Sequence, residues 1–165
     1  MPKTTGPSAW DVALRLLGVR ARSRAEIAER LARREFEPDV IADVLDRLSE
    51  SGLIDDDDFA QEWVTSRHKY SGRGRVALRR ELRTKGVAEE TIESALAEID
   101  PDDERAQATA LAQKKLASSS LDLSDRNDRA KAYRRLAGLL GRRGFPPEMV
   151  SSVVAETLRA GTPDA

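Results

Sequence analysis

The sequence carries one pattern three times. Ile27–Leu45 reads IAERLARREFEPDVIADVL, Leu78–Leu96 reads LRRELRTKGVAEETIESAL, and Leu136–Val154 reads LAGLLGRRGFPPEMVSSVV. Aligned without gaps, Leu31, Leu82 and Leu140 coincide, as do Phe36, Val87 and Phe145, then Ile41, Ile92 and Val150. Self-similarity of this kind marks one supersecondary unit used repeatedly, each copy burying its apolar face against a neighbour. The chain is thereby committed to an array, whose function rests on a long surface more than on one pocket.

Each copy has a local physical reading. Ile27 and Leu31 are four apart, like Leu78 and Leu82 or Leu136 and Leu140, so each pair shares one helix face. Gly86 and Gly144 predict helix ends, because glycine enters the left-handed conformation without a Cβ clash. A second helix then opens at Pro38, at the Ala88–Glu90 acids, or at Pro147, with proline and carboxylates suited to a first turn. Ile41, Val44 and Leu45 form its apolar face. Glu35 stands where the other copies have glycine, which predicts local strain or a shifted turn.

A further helix precedes each pair: Trp10–Leu17 with Ala13, Leu14 and Leu17 on one face, Phe59–Tyr70 with Phe59, Trp63 and Val64, and Glu104–Leu116 with Ala108, Leu111, Ala112 and Leu116. Ser23 and Glu26 read as a capping box. No alternating β-branched run predicts a strand. The expected fold is all-α: three tandem three-helix, helix-turn-helix-like repeats in an elongated, curved array. The repeats are drawn at 9–54, 55–100 and 101–160, between frayed ends at 1–8 and 161–165, with a linker at Ser118–Ser124.

Composition agrees with this reading. Hydrophobic residues make up 39% and aromatics 4% of 165 residues, too lean for one deep core and better matched to three small ones. Without cysteine there are no disulfides, thiolate nucleophiles or cysteine zinc sites. No apolar run approaches membrane-spanning length and the N-terminus has no apolar signal segment, so a cytoplasmic location away from membranes is expected.

The net charge of −1 conceals strong segregation. Ten acids face Arg47 between Glu37 and Glu62, and eight acids without a base lie between Val87 and Glu104. Between them stand Arg67, Lys69, Arg73, Arg75, Arg79, Arg80, Arg83 and Lys85 against Glu81. Arg75, Arg79 and Arg83 are spaced by four, beside the Leu78/Leu82 face. The preceding Ser71-Gly-Arg-Gly-Arg75 loop offers an anion a close approach at Gly72 and Gly74. Such a face contacts phosphates or an acidic protein surface, or else solvates its helix and pairs with the acids that follow. A second basic cluster, Arg134, Arg135, Arg142 and Arg143, holds the matching place in the third repeat.

Catalytic and metal signals are weak. Four carboxylates in a row, Asp55–Asp58, lack EF-hand spacing and read as a helix cap. His68 has no partner for a nucleophile pair or a closed metal site, and no phosphate-binding loop occurs. A non-enzyme without metal or cofactor is expected.

Four motifs follow one another along the chain: Arg20-Ala-Arg-Ser23-x-x-Glu26; Ser51-Gly-Leu-Ile-Asp-Asp56 leading into Phe59-Ala60; Glu81-Leu-x-x-Lys-Gly-Val87; and Arg134-Arg-Leu-Ala-x-x-Leu140-x-x-Arg-Gly-Phe145. In that order they resemble the RecX family, bacterial regulators of the recombinase RecA. The resemblance covers about residues 9–160. It implies a monomer that binds the RecA–single-stranded-DNA filament, touching DNA directly or through the filament, and restrains ATP hydrolysis and strand exchange in DNA repair and the SOS response. It further implies that Leu53, Ile54, Asp55, Asp56, Phe59 and Ala60 form the junction of repeats one and two. The family's basic surface maps onto Arg67 to Lys85. A stand-alone helix-turn-helix nucleic-acid module is the alternative.

Overall fold

The computed structural model describes residues 6–162. Among them are nine α-helices and no strand: α1 (Ala9–Val19), α2 (Arg24–Ala32), α3 (Pro38–Glu50), α4 (Asp56–Ser71), α5 (Arg75–Thr84), α6 (Glu89–Leu96), α7 (Pro101–Ala117), α8 (Arg126–Arg143) and α9 (Pro147–Ala160). Three successive helices form each repeat.

The turn inside each repeat is the same turn. The amides of Phe36, Val87 and Phe145 donate to the carbonyls of Leu31, Leu82 and Leu140 at 3.3, 3.1 and 3.2 Å. This is the bond that closes a helix through a left-handed residue. That residue is Glu35 at φ 63°, Gly86 at 73° and Gly144 at 85°. Glu35 therefore keeps the turn rather than shifting it, and carries about 1–2 kcal/mol of left-handed strain.

Helix starts follow their capping chemistry. Ser23 and Glu26 form the expected capping box at α2. The Asp55 carboxylate accepts from the amides of Asp57 and Asp58 at 2.9 and 3.3 Å, so the acidic run opens α4. Asp100 caps α7 likewise through Asp102 N–H.

Three local expectations change. Ser8, placed in a frayed end, forms a capping box with Asp11 and opens α1, and Thr162 is held by Arg129 and the Leu158 carbonyl. Within those ends, residues 1–5 and 163–165 lie outside the described residues. The expected linker is a packed loop, because Leu123 is buried in the core with Leu136 and Leu158, and Leu121 lies against it. Leu14 is exposed, and Val12 takes its place in the core with Ala13, Ile27, Leu31 and Leu48.

The chain forms two compact units that cut across the second repeat. One holds the described residues through Trp63 with Glu81–Ala95; the other holds Val64–Arg80 with Leu96 onward. Helix α4 gives its first half to one unit and its second half to the other, and α5 does so in reverse order. The first repeat nonetheless keeps a core of its own around Ile27, Leu31 and Leu48, and the third keeps one around Leu136, Leu140 and Val153.

Within each unit, the turn of one repeat rests on the start of a helix in the repeat before it. In the first, the Ser23 hydroxyl donates to the Lys85 carbonyl at 2.5 Å, and a β-carbon on Gly86 would stand 2.3 Å from Ala25 Cβ. In the second, Gly74 N–H donates to the Arg143 carbonyl and Val76 N–H to the Gly144 carbonyl, both at 2.9 Å. Ser23 precedes Ile27 by four residues as Gly74 precedes Leu78, so both contacts use one repeat position. Glycine at 86 and 144 thus serves close approach as well as φ, whereas Glu35 faces solvent.

Candidate basic interface

The structure divides the expected basic face. Arg67, Lys69, Arg73, Arg75, Arg79 and Arg80 belong to the second unit, Arg83 and Lys85 to the first. Several of them are parts of the fold.

Arg75 is the clearest case. Its Nε donates to Glu104 Oε2 at 2.8 Å and its backbone amide to Glu104 Oε1 at 2.9 Å, while Nη2 reaches the Ile99 carbonyl at 3.4 Å. The Glu104 side chain is 1% exposed. A buried carboxylate must be compensated, and removing one partner of such a pair costs about 3–5 kcal/mol. The amides that open α5 are consumed by Glu104 and by the carbonyls of Arg143 and Gly144. Gly74 has no open face either, since a β-carbon there would stand 2.5 Å from the Gly144 oxygen. The loop at 71–75 is a docking seat for the third repeat's turn and not an anion cradle. His68 belongs to the same seat, with Nδ1 2.8 Å from the Arg73 carbonyl.

Lys85 is likewise engaged. Its Nζ lies 3.0 Å from Glu26 Oε1 and 4.9 Å from the centre of the Trp63 ring. Trp63 Nε1 in turn donates to Glu81 Oε2 at 2.9 Å. Arg20 forks onto Glu26 at 2.8 and 3.2 Å. Burial pushes the Glu26 carboxyl up, but donation from Arg20, Lys85 and the Ser23 amide outweighs it and brings the pKa from 4.5 down to about 2. Two of the sequence motifs, Arg20 to Glu26 and Glu81 to Val87, therefore meet in one ion-pair network. Arg83 forks onto Glu89 at the surface, with Nε 2.9 Å from Oε2.

Of the remaining second-repeat bases, Lys69 and Arg80 are exposed, while Arg67, Arg73 and Arg79 are half-buried. Arg73 Nη1 reaches the Arg142 carbonyl at 3.4 Å. Lys69 Nζ lies 5.3 Å from the ring of Tyr70, which is 77% exposed.

The junction residues separate by role. Ile54, Phe59 and Ala60 are buried, and Phe59 stacks on Trp63 with centroids 5.9 Å apart. Asp55 caps α4, and Asp56 Oδ1 accepts the Arg24 amide at 2.9 Å, tying the start of α4 to the start of α2. Leu53 turns outward, 48% exposed.

The third-repeat cluster also splits. Arg143 Nη1 donates to the Ser71 carbonyl at 2.7 Å and belongs to the docking seat. Arg134, Arg135 and Arg142 are exposed on α8 and, with Lys131, line one depression. The sequence alone singles out neither Lys131 nor Glu104, and it gives Glu26 only its capping role, not its pairing with Arg20 and Lys85. The three-residue step from Lys131 to Arg134 could have revealed the first; nothing local distinguishes Glu104 from Asp102 or Asp103. Among the described residues no cluster of three His, Asp or Glu side chains is placed to hold a metal ion, and no helix is long and apolar enough to cross a membrane.

Comparison with known proteins follows the repeats. Residues 9–48, 55–96 and 102–154 match the family models described as the first, second and third three-helix domains of RecX. The chain is 51% identical over 157 residues to the regulatory protein RecX of Mycolicibacterium smegmatis, covering 95% of this chain and 83% of that one. To the regulatory protein RecX of Mycobacterium avium it is 46% identical over 163 residues, covering 96% and 92%. The crystal structure of RecX from Lactobacillus salivarius shares the fold, with a TM-score of 0.75, 22% identity, and coverage of 90% of this chain and 94% of that one. A second crystal structure of regulatory protein RecX matches with a TM-score of 0.74 and 24% identity over 88% and 70%.

Proposed function

The chain belongs to the RecX family, and on that premise we propose that it regulates RecA by binding the RecA–single-stranded-DNA filament. In this reading it restrains ATP hydrolysis and strand exchange during DNA repair and the SOS response. It does so as a cytoplasmic monomer that needs no cofactor and catalyses nothing itself. The observation that carries the reading is the match of all three tandem domains to a family of regulatory proteins. Tandem repetition of one three-helix unit supports it, because a repeated surface is suited to a polymer whose subunits are themselves repeated. Lys69, Arg80 and Arg83 are exposed bases of the second repeat. Arg75, Arg83 and Lys85 are occupied by carboxylates.

The alternative, a stand-alone duplex reader, has less support. A helix-turn-helix module inserts its last helix into the major groove. Here those helices carry acids, among them Asp39, Asp43, Asp46 and Glu50 on α3 and Glu89, Glu90 and Glu93 on α6. Phosphates would repel them.

The test is a titration of DNA-dependent ATP hydrolysis by RecA. Substoichiometric protein should slow hydrolysis. An unchanged rate at equimolar protein would end the proposal.

A further inference from the structure

A cavity of about 510 Å³ lies within the second unit, lined by one face of α4, one face of α7 and the Glu98–Asp100 connection. Its size falls in the range of small-molecule sites. Two polar atoms set it apart. His68 Nε2 and Gln107 Oε1 are both buried, and neither has a hydrogen-bond partner. Among the described residues they are the only two side-chain atoms in that condition, and both residues line this one cavity. Leaving a buried polar atom unpaired is costly, so each asks for a partner that the chain itself does not supply.

The chemistry of that partner follows from the two atoms. His68 Nδ1 lies 2.8 Å from the Arg73 carbonyl, an acceptor, so Nδ1 carries the proton and Nε2 of the neutral ring offers a lone pair. Gln107 Oε1 is an acceptor as well. Among the exposed lining residues the carboxylates of Glu98, Asp100 and Asp103 outnumber the ammonium of Lys69. Asp100 caps α7, whereas no ion pair among the described residues holds Glu98 or Asp103. Val64, Ile99 and Ala106 supply apolar wall.

We propose that this cavity binds a small aliphatic cation whose head carries several N–H donors, an alkylguanidinium or an alkylammonium. The head donates to His68 Nε2 and Gln107 Oε1, and small turns about the soft terminal torsions of both side chains bring the acceptors to it. Asp103 and Glu98 balance its charge, and its methylene stem packs on Val64, Ile99 and Ala106. An anion would meet lone pairs and carboxylates that repel it. A wholly apolar ligand would leave both acceptors unpaired. The site goes beyond the filament reading and does not rest on it.

The experiment titrates the full chain calorimetrically with agmatine and, separately, with putrescine, and follows the imidazole by nuclear magnetic resonance. His68 is the only histidine in the chain, so its ring signals need no further assignment. At least one probe should bind one to one, at about 1 mM or tighter, and move those signals. Agmatine binding alone assigns a guanidinium head; putrescine binding as tightly assigns an ammonium. Gln107→Leu should weaken binding at least about tenfold without lowering the melting temperature, because it replaces an orphaned acceptor with an apolar side chain of similar size. Asp103→Asn, at an exposed position, should weaken binding by about threefold or more, and decides the matter if Gln107→Leu misfolds. No saturable binding of either probe up to about 10 mM overturns the site. Binding that leaves the His68 signals unmoved, or that the folded variants retain in full, also overturns it, because the cation then sits elsewhere on the acidic surface. RecA takes no part in these readouts, so this proposal and the filament reading fail separately.

Discussion

Gly144 lies so close to Ala77 that a β-carbon at position 144 would stand 2.1 Å from the Ala77 Cβ. Together with φ 85°, this makes the position intolerant twice over, through backbone strain and through collision. Gly86 against Ala25 repeats the relationship in the other unit.

Gly144→Ala should therefore destabilise the chain by about 2–4 kcal/mol, more than the roughly 1–2 kcal/mol of left-handed strain alone. Glu35→Gly should have the opposite sign. Relief of about 1–2 kcal/mol of strain exceeds the roughly 0.4–1 kcal/mol of added unfolded-state entropy, leaving a gain of about 0.5–1 kcal/mol. Urea midpoints of the two variants would check the contrast; equal losses would show that the turns do not differ.

Arg75→Met strands the Glu104 carboxylate in the interior and should cost about 3–5 kcal/mol. Adding Glu104→Leu should recover most of that loss, since an apolar pair of similar volume is often neutral. A double-mutant cycle on thermal unfolding measures the coupling. A double variant no more stable than Arg75→Met would show that the pair is not the source of the cost.

Glu26 gives the protein an acid-sensitive element. With a folded pKa near 2 against an ordinary value of 4.5, the folded state binds the proton more weakly than the unfolded chain. Its contribution is fully present above about pH 4.5 and is lost as pH falls towards 2. Stability should fall through that window, and Glu26→Gln should be less stable at neutral pH with a flatter acid profile. Denaturant midpoints between pH 7 and 2 give the answer; parallel profiles for parent and variant would rule it out.

Gly138→Ala should stabilise α8 by about 0.5–1 kcal/mol, the gain from replacing a mid-helix glycine. The new methyl would stand 2.9 Å from Arg142 Nη1, and that long side chain can swing away into solvent. Thermal unfolding checks the sign; a lower melting temperature for the variant would show that the guanidinium does not give way.

Most of the fold was legible because its signals are local. The three leucine pairs, the glycines after them, the Ser23–Glu26 cap and the Asp55 cap each depend on residues within a few positions. Boundaries shifted where a neighbour intervened: Ser8 is ordered by Asp11, and Leu123 is drawn into a core by Leu136 and Leu158. Leu14 is displaced because α1 buries Val12 beside the expected Ala13.

The candidate site was less legible, and the reason is physical. The chain by itself determined where helices begin, turn and end, and which residues carry charge. Only the tertiary structure decided which charges remain available to a partner. Arg75 is matched by an acid 29 residues away and Lys85 by one 59 away, while Arg143 is turned onto a carbonyl 72 residues back. Helix periodicity is written along the chain, whereas the pairing of an ion depends on what folding brings beside it.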